Sequence, residues 1–250
     1  MLGIIKGDNR YEYLHEKIGG VLSNELADFY KIDRLLLPFG GIDNQYNIIS
    51  SNINLLDILR NNNILAIYVG KANEKLKELC NVRNILLFEI LNDEEFIIDN
   101  AHLTGLGIIN YLSKGDRIIN DYKVIIMGFG YVGFKLALLL TANKVNFSVY
   151  TTNEIEKKYV SLMGYKQANF KDFSIIINTI PHNMDIDYNL LKNKRVLDVS
   201  SAPYGFDIEK MNKIDVRYEI YSSIPAKFCP NLAANILEKY IEKTDVLIYN

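Results

Sequence analysis

An α/β fold built on parallel sheets is predicted by three features of the chain. Short β-branched runs alternate with longer segments of helical period, several of those runs are apolar throughout as strands buried on both faces must be, and one run passes through a glycine-spaced turn into a helix. Taken in order, Leu2 to Lys6 reads as a strand, Arg10 to Ile18 as a helix, and Arg34 to Pro38 and Ile64 to Val69 as strands. Ile85 to Phe88 reads as a further short strand, while Gly20 to Arg34 leaves little room for a strand and helix pair. From Asp99 to Ser113 the apolar residues Leu103, Leu106, Ile108, Ile109 and Leu112 are spaced as on a helix, one suited to bridging two lobes.

The second part is clearer. Lys123 to Met127 is a strand, Tyr131 to Asn143 a helix with an apolar inner face, Phe147 to Tyr150 a strand and Glu154 to Met163 a helix. Ser174 to Asn178, Arg195 to Asp198 and Arg217 to Ile220 each read as a parallel strand with a loop at its carboxyl end, which is a Rossmann-type order. A last helix, Asn231 to Lys243, follows Pro230; its face of Leu232, Ile236, Leu237 and Tyr240 needs a partner and predicts a return to the first lobe. The predicted organisation is a smaller N-terminal α/β lobe over residues 1–98, a bridging helix over 99–120, a C-terminal Rossmann-type lobe over 121–225 and a returning helix over 226–250. The sequence shows no internal repeat.

Composition narrows the function. The 250 residues are 49% hydrophobic and carry 28 basic against 30 acidic side chains, a net charge of −2, with a mean hydropathy of +0.00. This excludes a disordered or low-complexity chain, and the lack of a Lys/Arg cluster argues against nucleic acid as a partner. No signal segment or long apolar span is evident, so no membrane partner and a cytoplasmic location are expected. Cys80 and Cys229 stand far apart with no C-x-x-C, and His15, His102 and His182 have no ligand spacing, so no metal site is expected.

The strongest local signal is Lys123-Val-Ile-Ile-Met-Gly128-Phe129-Gly130-Tyr131-Val132-Gly133, with glycines at G-x-G-x-x-G spacing between strand and helix. Gly128 permits the tight turn, Gly130 lets backbone approach a diphosphate, and Gly133 lets the helix pack close on the strand. Dinucleotide binding is the reading this supports; a structural glycine turn on a relic lobe is the alternative. At the end of the next strand stand Thr151, Thr152 and Asn153, with no acidic residue until Glu154 and with Lys157 and Lys158 a turn later. That favours NADP over NAD, with NAD the alternative, although Thr151 and Thr152 also suit a turn and helix cap.

Asn178, Thr179 and Pro181 close another strand where a cofactor ribose or carboxamide would lie, and Ser200 and Ser201 follow Asp198 where a nicotinamide and substrate would lie. Pro203 and Gly205 fit a simple turn equally well. Lys6, Asp8 and Arg10 follow the first strand, where Arg10 could clamp a substrate carboxylate or be a solvated first-turn residue, and Gly40 with Gly41 faces the same edge. The catalytic residue is unassigned; His102, read as opening the bridging helix, and Ser200 are the weak candidates. Cys229, beside Pro230 at a helix start, sits where a thiol pKa can fall, though a quiet thiol is expected.

These pieces in this order resemble the A chain of dipicolinate synthase. The resemblance runs through Gly7-Asp8-Asn9-Arg10, Leu37-Pro38, Thr104-Gly105, the glycine loop, Asn178-Thr179-Ile180-Pro181, Asp198 to Asp207, and Ile224-Pro225 with Pro230 and Ala233 to Leu237. It implies a NADP-linked oxidation of a dihydrodipicolinate-type precursor to dipicolinate in the mother cell of a sporulating bacterium, with the synthase's separate, flavoprotein-like second subunit as partner. In that picture Lys6, Arg10 and the backbone near Gly40 face the substrate carboxylates, while Asn178, Thr179 and Ser200 order the nicotinamide half. The family's Arg in the glycine loop is Tyr131 here, and its Ser-Arg-Pro-Gly-Gly turn reads Ser201-Ala202-Pro203-Tyr204-Gly205. The alternatives are a non-catalytic Rossmann-fold partner or regulatory protein and a dehydrogenase of another small carboxylate. A second copy of this chain is the other protein partner left open.

Overall fold

A computed structural model describes residues 1–114, 118–168, 170, 171 and 173–249. Residues 115–117, in the segment read as the bridge, lie outside the described residues. The chain divides into two compact units of nearly equal length, Met1–Asn100 with Pro225–Asn250, and Ala101–Ile224. The fold is α/β in both, and each unit carries one parallel five-stranded sheet.

In the first unit the strands are β1 (Leu2–Ile5), β2 (Val21–Ser23), β3 (Arg34–Leu36), β4 (Ala66–Val69) and β5 (Leu86–Glu89), in the order β2-β1-β3-β4-β5. The interval between Gly20 and Arg34 does hold a strand. It is the three-residue edge strand β2, followed by a 3-10 turn, Leu26–Asp28, in place of a helix. The Ser23 hydroxyl donates to Asp28 at 2.5 Å and closes that turn, which is how the short interval suffices. Helices α1 (Arg10–Ile18), α2 (Leu55–Asn61) and α3 (Glu74–Val82) cross between strands. Asn54 and Asn73 cap α2 and α3 by accepting from Leu56 N and Leu76 N.

Period-2 alternation sends Ile5, Leu35, Leu37, Ile67 and Val69 into a cluster with Ile58, Leu76 and Cys80. The residues between them, Leu2, Ile4, Leu36, Ala66 and Tyr68, join Tyr11 and Leu14 of α1. Onto that second face packs α9 (Pro230–Asp245), through Ala234, Leu237, Tyr240 and Ile241. Burial of Leu237 and Ile241 contributes about 1.5–3 kcal/mol each. An ion pair from Arg34 to Asp245, whose other oxygen accepts from the Tyr68 hydroxyl at 2.5 Å, anchors the end of that helix.

Helix α4 (Glu94–Leu112) carries the chain from one unit to the next and starts five residues before the predicted Asp99. His102 is therefore an exposed mid-helix residue rather than the opening residue of a helix. The second unit contains β6 (Lys123–Met127), α5 (Tyr131–Ala142), β7 (Asn146–Tyr150), α6 (Glu154–Leu162), β8 (Ile175–Asn178), β9 (Arg195–Asp198), the single-turn α7 (Ile208–Met211) and β10 (Arg217–Ile220). A short α8 (Ile224–Phe228) precedes α9.

The second sheet runs β10-β9-β8-β6-β7, parallel throughout, with Ile126 opposite Val149 on one side and Ile177 on the other. Within each unit the order is 2-1-3-4-5, so the direction of winding reverses beside the first strand and leaves a crevice at the strands' carboxyl ends. Gly105 lets α4 lie close on α5, since a Cβ there would come 2.7 Å from Leu139 Cδ1. No helix among the described residues is long and apolar enough to cross a membrane.

Candidate functional site

In the second unit the crevice lies between the ends of β6 and β8, and the glycine loop forms one wall. Gly128 has φ +90°, and a Cβ there would strike Thr179 Oγ1 at 2.7 Å, so both backbone and packing require glycine. Gly133 is required by packing alone, because its Cβ would lie 2.2 Å from the Gly128 carbonyl oxygen. Gly130 differs from both. Its φ is −70°, and a Cβ would meet nothing within 4 Å.

Gly130 is also the N-cap of α5, and no side chain of the described residues caps that twelve-residue helix. A helix start whose N-cap is a glycine, approached past no side chain of the described residues, is a place able to receive a diphosphate. Of the loop's other residues, Phe129 is buried against Phe134 and Tyr165, Val132 is half-buried, and the Tyr131 side chain is exposed.

A carboxylate does reach the end of β7, contrary to the sequence expectation. Glu156 Oε2 accepts from the Thr151 hydroxyl at 2.5 Å and from the Phe129 N–H at 3.0 Å. Thr151 is buried and thus positions Glu156; Thr152 is exposed, and the cap of α6 is Asn153, which accepts from Ile155 N and Glu156 N. Lys157 is tied to Glu154 at 2.7 Å on the outer surface of α6. The sequence signal for Glu156 is the helical spacing from Asn153, which turns it back toward the strand end while Lys157 and Lys158 point elsewhere.

On the other side of the crevice, Thr179 is held by its N–H and hydroxyl, each 2.9 Å from the Met127 carbonyl. Asn178 and Ser200, read from sequence as ligand-facing, are turned inward onto Asp198. That fully buried carboxylate accepts from Asn178 Nδ2 (2.9 Å), Ser200 N (3.1 Å), Ser200 Oγ (2.7 Å), Gly205 N (3.0 Å) and the Tyr218 hydroxyl (3.1 Å). The remaining Asn178 groups are spent on Ile180. The Ser200 hydroxyl proton is likewise committed, which removes it as a proton donor to a ligand in this arrangement.

Gly205 is needed for this network, since a Cβ would overlap Asn178 Nδ2 at 2.1 Å. Burial and the Asp198 charge both push the Tyr218 phenol upward. Tyr204 adopts the left-handed conformation, with φ +71°. Ser201 and Pro181 are exposed on the loops around this edge.

The corresponding crevice of the first unit lies between the ends of β1 and β3. Arg10, 5% exposed, donates through Nε to Asp8 at 2.8 Å, and its guanidinium lies 4.4 Å from the centre of the Phe39 ring. Arg10 opens α1 but is buried, so it is not the solvated first-turn residue of the alternative reading, and its two Nη groups have no hydrogen-bond partner among the described residues. A planar cation pre-set on an aromatic face is suited to a carboxylate. Lys6 and Gly40 are exposed at the same edge. Gly70 allows Phe39 to sit there, because a Cβ would come 2.5 Å from the Phe39 carbonyl oxygen.

His182 is exposed, and burial pushes the Cys229 thiol upward rather than down. Burial likewise raises Cys80 to about 11. A basic depression of about 850 Å³, lined by Lys114, Lys194, Arg195 and Arg217, opens at the amino ends of β8 to β10. Parallel sheets of this kind bind at their carboxyl ends, so the crevice beside Gly130 is the better candidate. Among the described residues no group of three or more His, Cys, Asp or Glu side chains is placed to hold a metal ion.

No protein-family model and no curated protein matches the chain. Solved structures do. The dipicolinate synthase A chain from Bacillus halodurans is similar at a TM-score of 0.79 and 22% identity, covering 100% of this chain and 97% of that one. Its counterpart from Bacillus subtilis follows at 0.77 and 22%, covering 99% and 96%. A Salmonella D-lactate dehydrogenase is similar at 0.65 and 9%, covering 100% and 97%. At these identities the likeness is one of fold, and the resemblance read from the sequence is matched at that level.

Proposed function

We propose that this protein is a nicotinamide-dependent oxidoreductase of a small dicarboxylate. The observation that carries the reading is the inequality of the three loop glycines. Gly128 is demanded by its own backbone and by packing and Gly133 by packing, whereas a Cβ at Gly130 would meet no atom of the described residues within 4 Å, which leaves room in front of a helix with no side-chain cap at Gly130. Such a cradle fits a dinucleotide diphosphate, with the backbone from Gly128 through Gly133 holding it, and Thr179 and Pro181 bordering it.

A bound nicotinamide dinucleotide supplies hydride transfer. The chain's own residues bind and orient: Arg10, fixed by Asp8 and Phe39, meets a substrate carboxylate, with Lys6 and the backbone at Gly40 beside it. Likeness in fold to the A chain of dipicolinate synthase supports a dihydrodipicolinate-type substrate oxidised to dipicolinate during sporulation. It also supports the flavoprotein-like second subunit of that synthase as partner and the mother-cell cytoplasm as location. Whether NADP or NAD is used turns on the end of β7.

Fluorescence titration with NADH and NADPH tests the cradle. Gly130→Asp is expected to weaken nucleotide binding at least a hundredfold while changing stability by no more than about 0.5 kcal/mol. Gly133→Ala is expected to destabilise by about 1–3 kcal/mol through overpacking. Unchanged affinity in Gly130→Asp would remove the loop from the function. The turning of Asn178 and Ser200 onto Asp198 favours, as a second reading, a dinucleotide-binding partner protein with no chemistry of its own. Nucleotide binding without turnover of any dihydrodipicolinate-type acid, in the presence of the flavoprotein-like second subunit, would select it.

A further inference from the structure

We infer that Glu156 selects the nucleotide, admitting the free ribose diol of NAD and rejecting the 2′-phosphate of NADP. This rests on the dinucleotide reading above and reverses the preference drawn from the sequence. The Glu156 carboxylate is not a loose surface group. One oxygen, Oε2, is held by both the buried Thr151 hydroxyl and the Phe129 N–H, which fixes the carboxylate between the end of β7 and the first turn of the glycine loop. The other oxygen, Oε1, has no hydrogen-bond partner among the described residues, and Lys157, the adjacent cation, is engaged by Glu154.

An adenosine ribose bound on this fold lies at the end of the second strand, here β7, beside the glycine turn. A fixed carboxylate with a free oxygen accepts hydrogen bonds from a 2′-hydroxyl there. A 2′-phosphate in the same place offers no such donor when ionised and brings up to two negative charges against a third. The selecting acid comes from the first turns of α6 rather than from the strand end, because Asn153 starts the helix early enough to turn Glu156 back over β7.

The test is titration of the full chain with NADH and with NADPH, repeated for Glu156→Gln. Glutamine keeps an oxygen for Thr151 and Phe129, so the fold is retained, and thermal melting checks this. Wild type is expected to bind NADH at least tenfold more tightly than NADPH, and Glu156→Gln to reduce that ratio at least fivefold, chiefly by tightening NADPH. Equal or tighter NADPH binding by wild type overturns the assignment of Glu156 while leaving the dinucleotide site standing. So does a Glu156→Gln variant that weakens both nucleotides alike, as a merely structural residue would. If neither nucleotide binds folded wild type, the dinucleotide reading itself falls, and the selection by Glu156 with it.

Discussion

In the first unit the loop after β1 leads to a buried arginine lying on Phe39; in the second, the loop after β6 leads to a bare glycine as the N-cap of a helix. Both loops occupy the same place in sheets of the same 2-1-3-4-5 order. Topology sets where the crevice forms, and the side chains at one turn set what it accepts. A pre-oriented guanidinium suits a planar carboxylate, while an open approach to backbone N–H groups suits a diphosphate. The strand ends also differ in how they are held. The second sheet joins β8, β9 and β10 through one buried carboxylate with five donors, whereas Asp8 in the first is partly exposed and, among the described residues, its carboxylate accepts from Arg10 alone.

The largest break in that comparison is expected from Asp198→Ala. It strands the donors of Asn178, Ser200, Gly205 and Tyr218 in the interior and should cost about 3–5 kcal/mol. Hydrogen exchange should show lost protection in β8 to β10 with β1 to β5 retained. A loss below about 1 kcal/mol in urea unfolding would mean the network contributes little to the second sheet.

Arg10→Ala is the counterpart in the first unit and should cost only about 1–2 kcal/mol, from the cation–π contact and the packing of its stem. Nucleotide affinity should not change, while KM for a dicarboxylate substrate should rise about tenfold. Kinetics indistinguishable from wild type would take Arg10 out of substrate binding.

The smallest effect is the share of the alkaline pH dependence that Tyr218 carries in the second sheet, beside that of the buried tyrosines Tyr68 and Tyr240 in the first unit. Tyr218 ionises less readily folded than unfolded, chiefly through burial and then through Asp198, so the unfolded chain loses that proton first. The contribution of Tyr218 to stability is therefore fully present below about pH 10, the ordinary tyrosine value, and is lost as pH rises above it. Melting temperatures between about pH 8 and 11 should fall less steeply in Tyr218→Phe, and parallel slopes would show that Tyr218 carries none of the dependence.

Much of the second unit was legible in the sequence. Strands β6, β9 and β10 have the bounds read from the sequence, and the glycine spacing located the crevice because Gly128 and Gly133 answer local constraints. The first unit was less so. Strand β2 has three residues at a sheet edge, too few to establish a period, and α2 and α3 are short helices announced chiefly by their Asn caps. Arg10 and Gly130, each within its own unit, could be singled out in advance as candidates, but Glu156 could not, since its orientation depends on where Asn153 starts α6.

Local chemistry is what the sequence by itself determined: most strands and helices of the second unit, and that Gly128 opens a tight turn ahead of a helix. Those are contacts between neighbours in the chain, and residue order suffices for them. Only the tertiary structure decided that Asn178 and Ser200 face inward and Glu156 outward to the loop. Asp198 lies 20 residues from Asn178, and Phe129 lies 27 residues from Glu156. A polar side chain at a strand end turns toward whichever partner satisfies it at least cost, and that partner comes within reach only when the sheet has assembled.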